Sequence, residues 1–251
     1  MTWVIGRADP FGHAIGLSDI RVTFSDGSEH DCLQKIHLVT PNMVLGFAGS
    51  VAIGLEAVAQ MRVALHRDDE NDRWGPDYVA ETLPEGMSKL FNSFPNYEKV
   101  NKCELMLLTA HPTRNNGPWA KPSVYRFYSP NFEPLKAKQA QIVSIGSGAY
   151  VAPYMEALEK LSSDFDMYQL EVGYSGGSAL GLMVSLSSLL KQNPNKGISQ
   201  FLHIYIVGRN EVRFGNNSSN AKGVPKVAKD IAELENLLGM LGALSLERAI
   251  C

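Results

Sequence analysis

The chain has no uninterrupted apolar run approaching 18 residues, so no membrane-spanning helix is expected. Its opening, MTWVIGRADPFG, lacks the basic segment and apolar stretch of a signal peptide, which makes the cytosol the expected location. Cysteine is scarce. Cys32, Cys103 and Cys251 are odd in number and widely spaced, a pattern of reduced thiols rather than of a disulfide framework. No block of Lys and Arg exists and the formal net charge is −3, which removes the electrostatic footprint of nucleic-acid or anionic-membrane binding. The six histidines are scattered, and DDENDR lacks the glycine and spaced ligands of a calcium loop, so neither a metal nor a cofactor is called for. What is present is ordinary: 45% apolar and 20% charged residues over 251 positions, enough for one domain with a sizeable core.

The first third alternates β-type runs (TWVIGRA, HAIGLSDIRVTF, KIHLVT, MVLGFAGS) with turn signals, which predicts two successive hairpins. From Val51 the period changes to that of a helix reaching about His66, and a second helix is expected near Asp77 to Phe94. Strands return in CELMLLTAH, SVYRFYS and QIVSIGS, followed by helices from about Ala149 to Leu161 and from Gly177 to Lys191. FLHIYIVGR and EVRFG read as two more strands, and Lys226 to Ile250 as a helix carrying Ile231, Leu234, Leu238 and Leu241. Blocks of strands and helices, rather than strict alternation, predict an α+β fold. Antiparallel sheets stacked between helices, as a four-layer αββα sandwich, fit this order.

GYSGGS, Gly173 to Ser178, carries the Gly-x-Ser-x-Gly spacing of a nucleophile elbow. A hydrolase of that kind needs an acidic residue and then a histidine after the serine. The single histidine beyond Ser175 is His203, and no Asp or Glu lies between them, so that triad cannot be assembled. GSGAYV, Gly146 to Val151, loosely resembles a dinucleotide loop, but Val151 stands at its third glycine and hairpins precede it.

Thr2 follows Met1 and opens directly into the first strand, so removal of one residue exposes a threonine. Such a residue is nucleophile and base in one, because its α-amine, with an ordinary pKa of about 7.7–8.0, accepts the hydroxyl proton. The chemistry also needs a cation beside the hydroxyl, a carboxylate to hold that cation, and backbone N–H groups for the oxyanion. Lys35, Asp19 and the strand-to-helix turn GFAGS, Gly46 to Ser50, are the candidates.

Together, Met-Thr at the start, SDIRVT, QKIHLV, GFAGS, IGSGAYVA and YSGG resemble proteasome β-subunits and bacterial proteasome-like peptidases, members of the N-terminal-nucleophile hydrolases. The separations of 16 residues from Asp19 to Lys35 and 14 from Lys35 to Gly49 agree with that family. The similarity spans roughly Thr2 to Leu190. HPTRNNGPWAKP and the tail after about Gly215 have no counterpart, which leaves one proteasome-like domain over 1–251 with 216–251 as a C-terminal extension. The resemblance implies Thr2 as nucleophile, Lys35 easing its deprotonation, Asp19 holding Lys35, and Gly49 donating its N–H to the oxyanion. It implies Ser147 and Ser175 as supporting hydroxyls near the threonine amine, and a homo-oligomeric ring acting on a peptide or protein substrate, with an energy-dependent unfoldase as a further partner.

Three features depart from the pattern. Val172 stands where the family places an aspartate near the amine, with Glu171 one residue earlier, and Trp3 is bulkier than the usual residue beside the nucleophile, where it is expected to shape or obstruct the site. With Met1 attached, the Thr2 nitrogen is an amide and no base. A noncatalytic scaffold or regulatory subunit of the same fold, and a small-molecule amidase, are the alternatives.

Overall fold

The computed structural model describes residues 2–24, 26–66, 75–112, 120–172, 175–218, 224–240 and 249–250. They form a mixed α+β structure with antiparallel sheets and six α-helices among the described residues, the shortest being α3 (Asn96–Lys99). One sheet joins β1 (Val4–Ala8), β2 (Ala14–Asp19), β10 (Ile142–Ile145), β11 (Leu202–Val207) and β12 (Val212–Asn216) in the order β10-β1-β2-β11-β12. A second joins β5 (Ile36–Thr40), β6 (Met43–Gly49), β7 (Cys103–Pro112), β8 (Ala120–Tyr128) and β9 (Leu135–Lys136) in chain order. A small third sheet is built from β3 (Arg21–Phe24), β4 (Glu29–Asp31) and β13 (Ala249–Ile250). Both expected hairpins are present, β1 on β2 and β5 on β6.

The two large sheets face each other. Val4, Ala8, Ala14 and Tyr205 of one meet Ile36, Val44, Ala48, Met106, Leu108 and Val124 of the other in a closed apolar cluster. Alternation along β1 sends Val4 inward between the sheets and Trp3 and Ile5 outward. The outward residues pack under α4 (Ala152–Val172) and α5 (Ser175–Gln192). On the far side of the second sheet lie α1 (Val51–Leu65) and α2 (Pro76–Ser93), burying Ile53, Val58, Leu83 and Phe91 against Leu45, Phe47, Leu105 and Phe127. Burial on both faces explains why β1 and β2 carry no exposed position.

Two readings of the sequence change. HAIGLSDIRVTF breaks at Ile20, whose carbonyl accepts the N–H of both Cys32 and Leu33 at 3.0 Å, so β2 and β3 belong to different sheets. The tail helix is shorter than Lys226 to Ile250: α6 is Ile231–Met240. It starts there because Asp230 caps it, accepting the Glu233 N–H at 2.8 Å while Glu233 reaches back to the Lys229 N–H at 2.8 Å, a reciprocal cap. Ahead of the cap, Ala228 forms a parallel bridge with Leu33, and beyond the helix Ala249 and Ile250 pair with β3. Leu234 and Leu238 are buried in the same cluster as α1 and α2, so α6 docks on its own chain. The helix expected to end at Leu161 runs to Val172, which closes α4. The expected loops over DDENDR and HPTRNNGPW fall largely outside the described residues. Among the described residues no helix is long and apolar enough to cross a membrane.

Candidate active site

The first strand ends, toward its N-terminus, beside the place where β2 stops. Trp3 O accepts the Asp19 N–H at 3.1 Å, and Asp19 Oδ1 accepts the Trp3 N–H at 2.8 Å, so the two chain segments are pinned to each other at residue 3. Asp19 Oδ2 further accepts the N–H of Arg21 at 3.0 Å and of Ser199 at 3.3 Å. Three backbone donors thus fix the carboxylate before any side chain reaches it.

Lys35 comes to this carboxylate from the other sheet. Cys32 and Leu33 hang from Ile20 O, Gln34 N–H donates to Ala228 O at 3.0 Å, and Lys35 O accepts Phe47 N–H at 3.0 Å, so the stretch leading into β5 is held on three sides. The Lys35 ammonium lies 3.0 and 3.1 Å from the two oxygens of Asp19, 3.0 Å from Thr2 Oγ1 and 2.6 Å from Arg21 O. An ammonium has three donors, and here they meet a carboxylate, a hydroxyl and a carbonyl, which leaves none unused. Thr2, Asp19 and Lys35 are all fully buried.

The other side of Thr2 is clasped by the turn that follows β10. Thr2 N–H donates to Ser147 Oγ at 2.9 Å, and Thr2 O accepts from Gly148 N at 3.0 Å and from the Ser147 hydroxyl at 3.3 Å. Gly146 adopts φ +83°, and a Cβ there would lie 2.4 Å from Thr2 O and 3.1 Å from Ala48 Cβ, so glycine is required by both backbone angle and space. Ala48, and Gly49 after it, therefore adjoin the same turn as Thr2.

Gly49 closes β6 with φ +97°, and a Cβ would sit 2.6 Å from Lys102 O. Phe47 N–H points toward Lys35, whereas Ser50 N–H points across to Lys102 O at 3.0 Å. Strand alternation turns the Gly49 N–H to the Lys35 side, past the last backbone partner β5 offers. The helix that follows is capped by Ser50, whose Oγ accepts from Ile53 N at 3.3 Å and donates to the buried Glu98. An N–H turned to that side at the mouth of α1 is the arrangement an oxyanion needs.

The structure brings Thr2, Asp19, Lys35 and Ser147 into direct hydrogen-bonded contact and sets Gly49 beside them. Ser175 is the first residue of α5, its side chain outside the described ones, as are those of Glu171 and Val172. Trp3 does not enter the site: its ring stacks on Tyr154, centroids 4.6 Å apart, on the opposite face of the sheet. Sequence reasoning missed Ser199, 180 positions from Asp19, whose Oγ also donates to Asp31 Oδ2 at 2.8 Å. It missed the role of Arg21 as well, which supplies a carbonyl to Lys35 while its guanidinium ties Asp31 and Glu29, the hydrogen bond to Asp31 raising its pKa further. His203 is buried and its pKa falls to about 4 through burial, so it is neutral near pH 7.

Among the described residues no group of three or more His, Cys, Asp and Glu side chains is placed to hold a metal ion. No family model matches the chain, and no curated protein matches it.

Proposed function

We propose that the chain is an N-terminal-nucleophile hydrolase, a threonine peptidase similar to proteasome β-subunits, that cleaves amide bonds once Met1 has been removed. The observation carrying this reading is the buried contact of Thr2 Oγ1 with a lysine that a fully hydrogen-bonded aspartate holds in place. Few structural needs call for a threonine hydroxyl at the second residue of a chain to be met by an ion pair from two sheets. The facing sheets and their outer helices support the four-layer αββα arrangement, as one domain with 216–251 as an extension whose Ala228, Leu234 and Leu238 pack on it.

In the reaction the Thr2 amine, freed by loss of Met1, takes the proton of Oγ1 while Lys35 lowers the cost of the alkoxide. Oγ1 attacks the substrate carbonyl, and its oxygen develops negative charge against the Gly49 N–H. The leaving amine takes the proton from the Thr2 ammonium as the tetrahedral intermediate collapses to an ester. Water, deprotonated by the Thr2 amine, then hydrolyses the ester and restores the hydroxyl. Ser147 Oγ, already 2.9 Å from the Thr2 nitrogen, keeps that amine aimed throughout. A ring of like subunits in the cytosol, acting on peptides or proteins, belongs to the same reading, and an unfoldase partner extends it.

One observation favours a second reading, a noncatalytic subunit. Thr2 is fully buried in the chain that retains Met1, so no substrate reaches Oγ1 in that form. The test is turnover of short peptides by the chain with Thr2 as its first residue. Hydrolysis that vanishes in Thr2→Ala supports the peptidase. No hydrolysis, together with Met1 retained in protein from its native host, supports the scaffold, and turnover confined to small amides supports the amidase.

A further inference from the structure

The clasp around Thr2 is itself held by a carboxylate on the second sheet. Glu104, early in β7, accepts the Gly146 N–H at 2.8 Å through Oε2, in the turn whose next two residues receive the Thr2 nitrogen and carbonyl. The next two residues, Ser147 and Gly148, bond Thr2 directly, so the hold of Glu104 on Gly146 reaches residue 2 through a single turn. Glu104 lies beside Tyr128 in the β7–β8 register, and Arg126 is the diagonal neighbour on the same face. Tyr150 completes the surroundings, its phenol pushed up mainly by the Glu104 charge, as burial chiefly does for Tyr128. Arg126 Nε is buried with no hydrogen-bond partner.

The geometry points to Glu104 as a positioning residue for the Thr2 amine, fixing the Ser147 turn and supplying negative charge on the side of residue 2 opposite the Lys35–Asp19 pair. This rests on the peptidase reading. Once Met1 is gone the terminal nitrogen carries a proton below its pKa, and among the described residues the charged groups around it are Lys35 and Asp19 on one side and Glu104 with Arg126 on the other. Glu104 stabilises the ammonium, whereas Arg126 and Lys35 oppose it. The carboxylate therefore raises the pH at which the amine becomes a base, and removing its charge lowers that pH.

The experiment uses the chain with Thr2 as first residue and the variants Glu104→Gln, Glu104→Ala and Arg126→Gln. The α-amine pKa is read by competitive acetylation against pH, and the rate of covalent addition of a threonine-directed electrophile is read over the same range. Glu104→Gln keeps an oxygen to accept from Gly146 and loses the charge. Its amine pKa and the acid limb of its rate profile should both fall by on the order of one pH unit, the effect of losing one nearby charge. Arg126→Gln should move both the opposite way, and Glu104→Ala should add a loss of roughly tenfold in rate at its own optimum, from the freed turn. An amine pKa in Glu104→Gln equal to that of the parent overturns the charge role, and Glu104→Ala as fast as Glu104→Gln overturns the positioning role. Should the amine titrate as expected while no variant or parent adds the electrophile, the charge role of Glu104 stands, and the positioning role falls with the peptidase reading.

Discussion

Lys35→Met is the perturbation whose cost the structure defines best. The ammonium is wholly buried and satisfies Asp19, Thr2 Oγ1 and Arg21 O, while Asp19 is wholly buried too. Methionine fills nearly the same volume, so packing changes little. The carboxylate is left without its cation in a site that water does not reach, and breaking a buried pair from one side costs about 3–5 kcal/mol. For a domain of this size that corresponds to a fall in melting temperature of roughly 6–20 °C, measured by calorimetry or by circular dichroism. Three backbone N–H groups still reach Asp19 in the variant, which places the expectation toward the lower end. The double variant Asp19→Asn/Lys35→Met removes the stranded charge and should recover about half of the loss. A single variant melting within about 2 °C of the parent, or a double variant no more stable than the single, refutes the reasoning.

Gly49→Ala should cost about 2–4 kcal/mol, because φ is +97° and the new methyl would meet Lys102 O at 2.6 Å, and urea unfolding checks this. Activity of the chain beginning at Thr2 should fall in the same variant, since the N–H at position 49 moves with its backbone. His37 is buried, donates from Nε2 to Gln34 O at 2.8 Å, and has its pKa lowered to about 4 by burial. With the folded pKa below the unfolded value of about 6.5, the folded state takes up its proton later as pH falls. Stability is therefore unaffected by this group above pH 6.5 and declines between about pH 6.5 and 4, by up to roughly 1.4 kcal/mol per pH unit. Urea titrations at pH 7 and pH 5 should show a smaller difference in His37→Gln than in the parent, and an unchanged difference contradicts the assignment.

Much of this was legible in the chain. Period-2 runs around clear turns place β1, β2, β5 and β6, and Ser50 ahead of an apolar period of 3.6 places α1. The site was legible where chemistry and resemblance named residues: Thr2, Asp19 and Lys35 as the alcohol, carboxylate and cation that an exposed threonine needs, and Ser147 as the resemblance implies, lie in hydrogen-bonded contact. What stayed hidden depends on tertiary partners. The break at Ile20 has no local signal, because it follows from Cys32 and Leu33 claiming its carbonyl. Glu104 reads as one polar residue at the start of a strand, and Ser199 as part of a loop, until folding brings them to Gly146 and Asp19. The end of the tail reads as helix because Leu234 and Leu238 keep the period, whereas pairing with β3 decides residues 249 and 250.

The most direct measurement is intact mass, with peptide mapping, of the chain beginning at Thr2 after incubation with a threonine-directed electrophile. The account predicts a single adduct on residue 2, absent from Thr2→Ala and from the chain that retains Met1, and slowed by at least a hundredfold in Lys35→Met, about 2.7 kcal/mol of barrier. An adduct that forms equally well with Met1 in place, or that maps elsewhere in the chain, contradicts it.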